Sequence, residues 1–533
     1  MCLVKDKGKA FVALCFLAFI GIMSYMNAVL VIKPISKYVH GETVGFRQIT
    51  KTIAANYVSN YLKHKNRFID LNGLFVRLCG KRVHNDVICL RNNMLLRYDE
   101  WRYNKQILST NAKKLVDFSR FLNEQNIPFM FVTAPCKVPI TNNILPQGIN
   151  DYPNRSIDFF INEISNYGLP TLDLRCYLSM TTEQVNKSFY RTDHHWNPDG
   201  AFIAFQVIME EIRKQYNDRV TKHYTDIELW QRHELKNWFL GSIGKRVGSL
   251  FAGTDSLIYY APLFSTEMSL IVPHRNQIYK GDFVTANIRK EYIKDRDFFN
   301  KNAYCVYIGG DFPLSQHRNI NAPNKMRILL IKDSFMLPLE AFLSTEFMEV
   351  DVIDPRHYKV SSLAEYILWT RPDLVIQMNN VSTLFDDSTN NSIFFDNYGV
   401  DPKIRIDNPM KGEELLKDYN AELTASKSQS HRNKRLPISI QAGKTYTIQI
   451  KQIRTTYGKT DGVSLLLYDY KKKKIVRHEI IDIEYCKQKG IHKWTFKVPE
   501  KDSDYGLLVY SGIFGKTNNI GVKYSGIEVF ETV

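Results

Sequence analysis

The sequence predicts an α/β protein: a parallel sheet flanked by helices, with a C-terminal β-sandwich and an N-terminal transmembrane helix. Between about residues 127 and 378, short apolar runs alternate with segments whose apolar residues recur at helical spacing. This alternation is typical of a parallel sheet covered on both faces. After about residue 436, strand-like runs follow one another closely, as in a small sandwich. Residues 10–32 are almost entirely apolar.

The composition limits the kinds of partner that we expect. A chain of 533 residues predicts two or three domains, and 44% apolar residues are enough for true cores. The formal net charge of +16 indicates anionic surroundings, such as a phospholipid surface, an acidic glycan or nucleic acid. No nucleic-acid-binding motif occurs, so we do not expect nucleic acid as a partner. Eight cysteines are too scattered for a disulfide framework, although Cys79 and Cys89 either pair across a turn or remain free thiols.

Residues 1–34 are interpreted as a cytoplasmic tip and a signal-anchor helix. The apolar run over 10–32 is long enough to cross a hydrocarbon core of about 30 Å. Lys5, Lys7 and Lys9 precede it, which favours a cytoplasmic N-terminus. A cleaved signal peptide is the alternative, but its apolar region would be only about 7–15 residues long. We therefore expect a single-pass membrane protein whose bulk is on the extracytoplasmic face, in a periplasm or at the cell surface.

The remaining chain divides by composition. Residues 35–70 are basic and predict a helical stalk, and residues 71–410 carry the α/β pattern. A stretch at about 225–320 breaks the alternation and predicts a β-rich insertion. Residues 411–435 are polar and predict a linker. Residues 436–533 predict the sandwich, whose aromatic residues either fill its core or stack on sugar rings.

One loop carries an acid next to two histidines and a tryptophan. It runs from Tyr190 to Gly200 and ends in Asn-Pro-Asp-Gly, which contains two turn-forming pairs. In an extended loop alternate side chains share a face, so Asp193 and His195 point the same way. A carboxylate beside an imidazole fixes its tautomer and stabilises its protonated form. The pair therefore predicts a general base.

A nucleophile for this base is predicted far downstream. The apolar strand at 326–331 ends in Lys332-Asp333-Ser334. Active residues of parallel sheets gather outside the carboxyl ends of the strands, and a serine hydroxyl needs an adjacent base. The alternative is that Asp333-Ser334 only caps the following helix.

Donors for a developing oxyanion are also needed. Candidates are the backbone N–H of Ser334 or Phe335 and the side-chain amides of Asn379 or Asn380, which follow the next strand. Their alternative is an ordinary turn after a strand.

Further candidates surround these positions. Trp196 follows the histidines, and Arg356 and Lys137 follow strand ends, where they either bind substrate or form salt bridges. The Asp-His-His string could bind manganese, as in some phosphoesterases, but the further upstream Asp motifs of those enzymes are missing. We expect neither a metal nor a cofactor.

Four segments together resemble a known family: 131–137, 191–197, 332–335 and 352–358. They are similar to the bacterial DHHW-protein family, related to the AlgX/AlgJ-type SGNH-hydrolase-like proteins of exopolysaccharide acetylation. The resemblance covers about residues 70–400. It implies that Ser334 is the nucleophile, His195 the base and Asp193 the orienting acid. It further implies O-acetyl transfer or esterase chemistry on polysaccharide hydroxyls, with a membrane-bound acyltransferase as the source of the acyl group.

The sequence departs from this pattern at three places, and one of them is that no clear glycine marks the second SGNH block between Ser334 and Asn379. Lys332 stands where the serine motif Gly-Asp-Ser has glycine, and Gln377-Met-Asn-Asn stands where Gly-x-Asn-Asp is usual. The alternative hypothesis is a non-catalytic glycan-binding or assembly protein of a polysaccharide export system.

Overall fold

The computed structural model describes most of the chain after residue 63. The described ranges are 64–97, 103–141, 144–216, 219–220, 223–385, 394–400, 412–425, 430–516 and 519–532, with 11, 13–18, 20–22 and 25 near the N-terminus. Those N-terminal residues are helical. The rest of the expected transmembrane helix, and the stalk up to residue 63, lie outside the described residues. Among the described residues, no helix is both long and apolar enough to span a bilayer.

The helices and strands are numbered here in chain order. The α-helices are α1 (Lys65–Leu78), α2 (Lys105–Glu124), α3 (Tyr152–Ser165), α4 (Arg175–Leu178), α5 (Thr182–Ser188), α6 (Pro198–Gln215), α7 (Ser242–Val247), α8 (Ser249–Ala252), α9 (Phe283–Asn287), α10 (Leu337–Glu346), α11 (Leu363–Thr370) and α12 (Ile483–Lys489). The strands up to residue 379 are β1 (Val83–His84), β2 (Val87–Cys89), β3 (Leu95–Arg97), β4 (Phe129–Thr133), β5 (Thr171–Asp173), β6 (Trp230–Phe239), β7 (Asp255–Pro262), β8 (Met268–Val272), β9 (Gln277–Gly281), β10 (Leu314–Asn319), β11 (Asn324–Ile331), β12 (Phe347–Ile353) and β13 (Leu374–Asn379). The later strands are β14 (Gly412–Ala425), β15 (Ser430–His431), β16 (Asn433–Arg435), β17 (Thr445–Tyr457), β18 (Gly462–Asp469), β19 (Lys474–Asp482), β20 (His492–Lys497), β21 (Tyr505–Tyr510) and β22 (Ile520–Thr532).

The chain forms two compact units. The first comprises residues 1–85 and 246–253, and the second comprises 86–245 and 254–533. In the first unit, Arg77 donates a 2.6 Å hydrogen bond to the Phe251 carbonyl oxygen and so ties α1 to α8. The boundary expected between stalk and α/β domain at residue 70 is therefore wrong, because it falls inside the continuous helix α1. Cys79 and Cys89 are both free thiols.

A sheet of eight strands forms the centre of the second unit. Its order is β5-β4-β13-β11-β12-β10-β8-β9, and the first five strands run parallel. Strands β10, β8 and β9 extend it in antiparallel pairing. The segment expected as a separate β-rich insertion at 225–320 therefore supplies three strands of the main sheet. Its remaining strands, β6 and β7, form an antiparallel pair.

Both faces of the inner parallel strands are largely buried, as their apolar sequences predict, whereas the edge strand β5 is half-buried. Ile328 and Leu330 of β11 belong to one core cluster, together with Phe202 of α6 and Leu339 of α10. Leu329 and Ile331 belong to the other cluster, which also holds residues of α2, α3 and α11. This alternation fixes the register of β11 and therefore the position of the residues that follow it.

The carboxyl ends of the parallel strands bring the sequence candidates to one edge of the sheet. Strand β11 leads to Ser334, β13 to Asn379 and Asn380, β12 to Arg356, and β4 to Lys137. Ile331, the last residue of β11, lies opposite Ile353 of β12 and Gln377 of β13. The sheet topology thus places these candidates at the edge where parallel sheets carry their sites.

The C-terminal part is a β-sandwich, as expected, but it begins earlier than residue 436. One sheet has the order β15-β14-β22-β17-β20 and the other β16-β21-β18-β19. Strand β14 covers residues 412–425 and pairs along its length with β22. The linker expected over 411–435 is therefore wrong for 412–425 and 430–435. Among the residues of β14 whose burial is described, only Ala421 and Leu423 are buried, so most of the strand is polar and has the composition of a linker.

Glu349 joins the sandwich to the central sheet. It lies on β12 and accepts hydrogen bonds from Arg327 of β11 and from Lys489 of α12. Burial alone would raise the pKa of Glu349, but Arg327, Arg318 and Lys489 hold it well below its ordinary range. The carboxylate is therefore ionised and shared by cations from both parts of the unit.

Replacing Glu349 by Ala is expected to lower the free energy of unfolding by about 1.5–3 kcal/mol, because the hydrogen bonds between its buried carboxylate and the half-buried Arg327 and the exposed Lys489 are lost. Urea denaturation measures the change. Glu484→Ala, which removes an exposed partner of Lys487, is the control and should cost less than about 1 kcal/mol. Because the folded pKa of Glu349 is depressed, its contribution is complete above its unfolded pKa and is lost as the pH falls towards the folded value. Equal effects of the two substitutions, or no acid dependence, would contradict this account.

Candidate active site

The Asp-His-His-Trp segment lies between α5 and α6. Helix α6 begins at Pro198, a residue suited to a first helical position, and Asn197 caps it by accepting a 2.9 Å hydrogen bond from the Gly200 N–H. The Asn197 side chain also donates to the Lys187 carbonyl oxygen at 2.7 Å. The segment is thus anchored at the helix start rather than being an open loop.

Asp193, His195 and Ser334 form a continuous line of hydrogen bonds. His195 Nδ1 lies 2.6 Å from Asp193 Oδ1, and His195 Nε2 lies 2.8 Å from Ser334 Oγ. An ionised carboxylate only accepts, so Nδ1–H donates to Asp193 and the neutral ring can accept the serine proton at Nε2. Asp193 and His195 are both buried, with 1% and 5% exposure. The structure therefore brings together the three residues that the sequence selected.

Backbone groups hold the Asp193 carboxylate in place. Oδ1 accepts a 3.1 Å hydrogen bond from the His195 N–H, and Oδ2 accepts a 2.5 Å bond from the Ser242 N–H at the start of α7. Burial alone would raise the pKa of Asp193, but His194, His195 and these hydrogen bonds hold it well below its ordinary range. Gly241 allows this approach, since a Cβ there would lie 2.4 Å from the Asp193 Cβ. Asp193 is thus an ionised acid fixed on both oxygens.

Lys137 anchors the same loop through hydrogen bonds to backbone carbonyl oxygens. Its ammonium donates to the carbonyl oxygens of Leu95, Arg191 and Asp193 at 2.9, 3.0 and 2.7 Å. An ammonium has three donors, so all of them are used by the backbone. The expectation that Lys137 binds substrate is therefore wrong: the side chain is 4% exposed and positions the loop.

Ser334 begins a 3₁₀ turn, Ser334–Met336, that follows β11. Asp333 caps this turn by accepting a 3.0 Å hydrogen bond from the Phe335 N–H. The alternative that Asp333-Ser334 only caps the following helix thus holds for Asp333. The Ser334 hydroxyl instead faces His195. The first N–H groups of a helix lack intrahelical acceptors, and that of Ser334 makes no hydrogen bond within the described chain. The Ser334 N–H is therefore the available backbone donor, and the Phe335 N–H is not.

Asn380 supports Asp333 instead of facing a substrate. Its backbone N–H and its Nδ2 donate to Asp333 Oδ2 at 2.7 and 2.8 Å, and Thr383 Oγ1 donates to the same oxygen at 2.9 Å. The expectation that Asn380 supplies an oxyanion donor is therefore wrong. Asn379 differs: its Oδ1 accepts from Gln377, whereas its buried Nδ2 makes no hydrogen bond with any described residue.

Trp196 and Arg356 also have partners within the protein. Trp196 is fully buried and donates a 2.8 Å hydrogen bond to the Phe335 carbonyl oxygen, so it braces the serine turn rather than binding substrate. Arg356 donates to both carboxylate oxygens of Asp354, at 2.9 and 2.6 Å, which is the salt-bridge alternative.

Lys332, the residue in the glycine position, is buried with its ammonium between Asp311 at 3.1 Å and Glu340 at 3.2 Å. Burial alone would lower the pKa of Lys332, but these carboxylates raise it above its ordinary value. The charge is thus neutralised by protein groups, and the departure from glycine leaves the Ser334–His195 hydrogen bond intact.

Tyr304 is a site residue that the sequence did not indicate. Its ring stacks on the His195 imidazole with centroids 3.9 Å apart and planes 11° apart. Its hydroxyl donates to the carbonyl oxygens of Ser334 and Phe335 at 3.0 and 3.2 Å. Tyr304 therefore fixes the base and the serine turn together. It lies in a short 3₁₀ helix, Ala303–Val306, whose sequence has neither periodicity nor motif, and no sequence signal would have selected it.

A metal ion does not fit the Asp-His-His group well. Asp193, His194 and His195 offer ligand atoms within 4.8 Å of one another. However, Asp193 Oδ1 accepts from His195, Oδ2 accepts from the Ser242 N–H, and His194 Nδ1 lies 3.0 Å from Ser242 Oγ. A cation would have to displace these hydrogen bonds.

The chain was compared with known proteins. Residues 92–239 match the family model described as the SGNH hydrolase-like domain of the acetyltransferase AlgX. The matched segment contains Asp193 and His195 and ends before Ser334. No curated protein matches the sequence.

Several solved structures are similar. Bacillus cereus PatB1 is 25% identical over 55% of this chain and 94% of its own, with a TM-score of 0.46. A DHHW family protein from Eubacterium siraeum is 17% identical over 59% and 96%, with a TM-score of 0.44. The O-acetyltransferase domain of Pseudomonas putida AlgJ is 13% identical over 59% and 99%, with a TM-score of 0.35. The family-model match confirms the resemblance to AlgX-type SGNH-like domains that the sequence motifs indicated.

Replacing Lys137 by Met is expected to lower kcat about 10–100-fold with little change in KM, because the loop that carries Asp193 loses its anchor while the substrate loses no contact. Ester hydrolysis by the purified protein measures both constants. Lys187→Met, which removes an exposed lysine paired with Glu183, is the matched control and should leave both unchanged. A rise in KM without loss of kcat would instead favour a direct contact between Lys137 and substrate.

Proposed function

We propose that this protein is an SGNH-like O-acyltransferase that transfers an acyl group to a hydroxyl of a bacterial polysaccharide. We propose acetyl as this acyl group. The hydrogen-bond line Ser334–His195–Asp193 is the single observation that carries the proposal. It combines a nucleophile, a base and an orienting acid in the relation that acyl transfer through serine requires. The AlgX-type match supports acetyl as the acyl group.

The first half-reaction forms an acyl-serine. Ser334 Oγ attacks the carbonyl carbon of the donor while His195 Nε2 takes the serine proton. Asp193 stabilises the resulting imidazolium through Nδ1–H. We propose the Ser334 N–H as a donor to the tetrahedral oxyanion, and Asn379 Nδ2, which is buried without a partner among the described residues, as the candidate for a second donor. Collapse of the intermediate expels the donor group, which receives its proton from His195.

The second half-reaction transfers the acyl group. His195 Nε2 now removes a proton from the acceptor hydroxyl, whose oxygen attacks the acyl carbon. As the bond between the acyl carbon and Ser334 Oγ breaks, His195 gives this proton to Ser334 Oγ. The same step with water would be esterase activity. The glycan-binding alternative makes no use of a serine hydroxyl aligned on a buried His-Asp pair, and so we prefer the enzyme.

The cellular setting is part of the proposal. The apolar run over residues 10–32 supports a membrane anchor with the bulk of the chain on the extracytoplasmic side. An acyl donor must then be delivered across the membrane, which supports a membrane-bound acyltransferase as the partner.

The proposal predicts that Ser334→Ala and His195→Ala each lower the turnover of p-nitrophenyl acetate by at least about 10³-fold, since both residues act in one unit. Turnover by the full-length protein in detergent measures this. Ser503→Ala in the sandwich and His233→Ala on β6 are the controls and should retain the wild-type rate. Equal background rates in all five proteins would reject serine catalysis on this ester.

Replacing Asp193 by Asn is expected to lower kcat about 10³–10⁴-fold, because the amide no longer stabilises the imidazolium or fixes its tautomer. Steady-state kinetics on the same ester measure the loss, with exposed Asp117→Asn as the control. An undiminished kcat in Asp193→Asn would show that His195 does not need the carboxylate.

A further inference from the structure

Helix α1 of the first unit carries a row of exposed apolar side chains. Leu71, Phe75 and Leu78 are 59%, 66% and 77% exposed. They are separated by four and three positions, and they therefore share one face of a helix that has about 3.6 residues per turn. Single exposed apolar residues are ordinary on a protein surface, whereas a contiguous group marks a contact surface. We call these three residues the apolar face of α1.

The opposite side of α1 is packed within the same unit. Gly73 lies two positions from Leu71 and so points away from the apolar face. A Cβ at Gly73 would lie 2.1 Å from the Val247 carbonyl oxygen. Asp70 accepts a 2.9 Å hydrogen bond from Ser249 Oγ. Segment 246–253 thus covers one side of α1 and holds the helix in place, while the apolar face is turned outwards.

The first unit is strongly basic around this helix. Its described residues in 64–85 and 246–253 include one acidic residue, Asp70. The same ranges include six basic residues: Lys65, Arg67, Arg77, Lys81, Arg82 and Arg246. Arg67 is exposed and precedes Leu71 by one helical turn, and the exposed Lys81 and Arg82 follow Leu78 closely. Cations therefore flank the apolar face at both ends.

These charges decide which partner fits the apolar face. A second copy of the chain would place two basic surfaces against each other, and like charges in an interface repel. An anionic phospholipid surface matches both features, because apolar side chains enter the boundary between headgroups and acyl chains while cations stay at the headgroups. The apolar run over residues 10–32, interpreted as a membrane anchor, precedes α1 in the same chain.

We propose that α1 is an interfacial helix that binds an anionic phospholipid surface through Leu71, Phe75 and Leu78. The helix lies along the bilayer surface, because segment 246–253 covers its other side. This contact is separate from the anchor and holds the first unit at the membrane surface. The inference goes beyond the proposed function and does not depend on catalysis at Ser334.

Quenching of fluorescence by brominated lipid tests this contact. Full-length Phe75→Trp protein is reconstituted in vesicles made of equal amounts of phosphatidylcholine and phosphatidylglycerol. The phosphatidylcholine is then replaced by a form brominated in the upper part of its acyl chains. Bromine quenches only the indole rings that it contacts, and interfacial helices enter the bilayer boundary by about 5–10 Å. We expect bromination to remove most of the emission that Phe75→Trp adds to that of the wild-type protein.

Tyr167→Trp is the matched control. Tyr167 is also an exposed aromatic residue, but it belongs to the second unit and lies outside the apolar face. Bromination should leave the emission added by this substitution unchanged. Thermal melting verifies that both variants are folded.

The basic residues are tested in the Phe75→Trp background. Lys81→Gln combined with Arg82→Gln should weaken the quenching, since each cation near an anionic surface strengthens binding about fivefold. Lys471→Gln combined with Lys473→Gln removes two exposed lysines between β18 and β19 and should have no effect. Equal quenching in the two double variants would contradict the role of Lys81 and Arg82.

Three outcomes would overturn the proposal. In the first, Phe75→Trp protein floats with the vesicles but keeps its added emission. In the second, the added emission is protected because the protein cross-links as a dimer through α1, which would assign the face to a second copy. In the third, the protein does not float with the vesicles at all. Ester turnover by Phe75→Trp in detergent should equal the wild-type rate, so failure of the lipid contact is distinct from failure of the catalytic proposal.

Discussion

The candidate site depends on one buried carboxylate. Asp193 is 1% exposed, and an ionised group is stable there only if both oxygens are satisfied. Much of the surrounding structure serves this need: the Ser242 N–H reaches Oδ2, and Gly241 leaves the space for that approach. Because the same carboxylate orients His195, the requirement of burial and the requirement of catalysis are met by the same hydrogen bonds.

The serine side of the site is built in a parallel way. Asp333 is fully buried and accepts from the Phe335 N–H on one oxygen and from Asn380 and Thr383 on the other. Asp193 and Asp333 thus each organise one half of the site, and the His195–Ser334 hydrogen bond joins the halves. Tyr304 contacts both, which explains how an imidazole and a hydroxyl separated by 139 residues are held at 2.8 Å.

The sequence was informative where local rules decide the structure. The alternation of Asp193 and His195, and the position of Ser334 after an apolar strand, depend on nearest neighbours in the chain. The roles of Lys137 and Asn380 could not be predicted, because their partners come from distant segments: the carbonyl oxygens of Leu95 and Arg191 for the lysine, and Asp333 for the asparagine. The sequence of strand β14 predicts a linker because its exposed face is polar. Its identity as a strand is decided by β22, about a hundred residues later.

The position of β22 has a consequence for how the protein is made. Residues 520–532 pair with β14 on one side and with β17 on the other, so they are an interior strand of their sheet. Until these residues leave the ribosome, β14 and β17 present unpaired edges, which are templates for association with other chains. Strand pairing over such sequence separations is also slow. The sandwich therefore closes only after residues 520–532 have been synthesised, and a chain interrupted before them would expose the edges that protein quality control recognises.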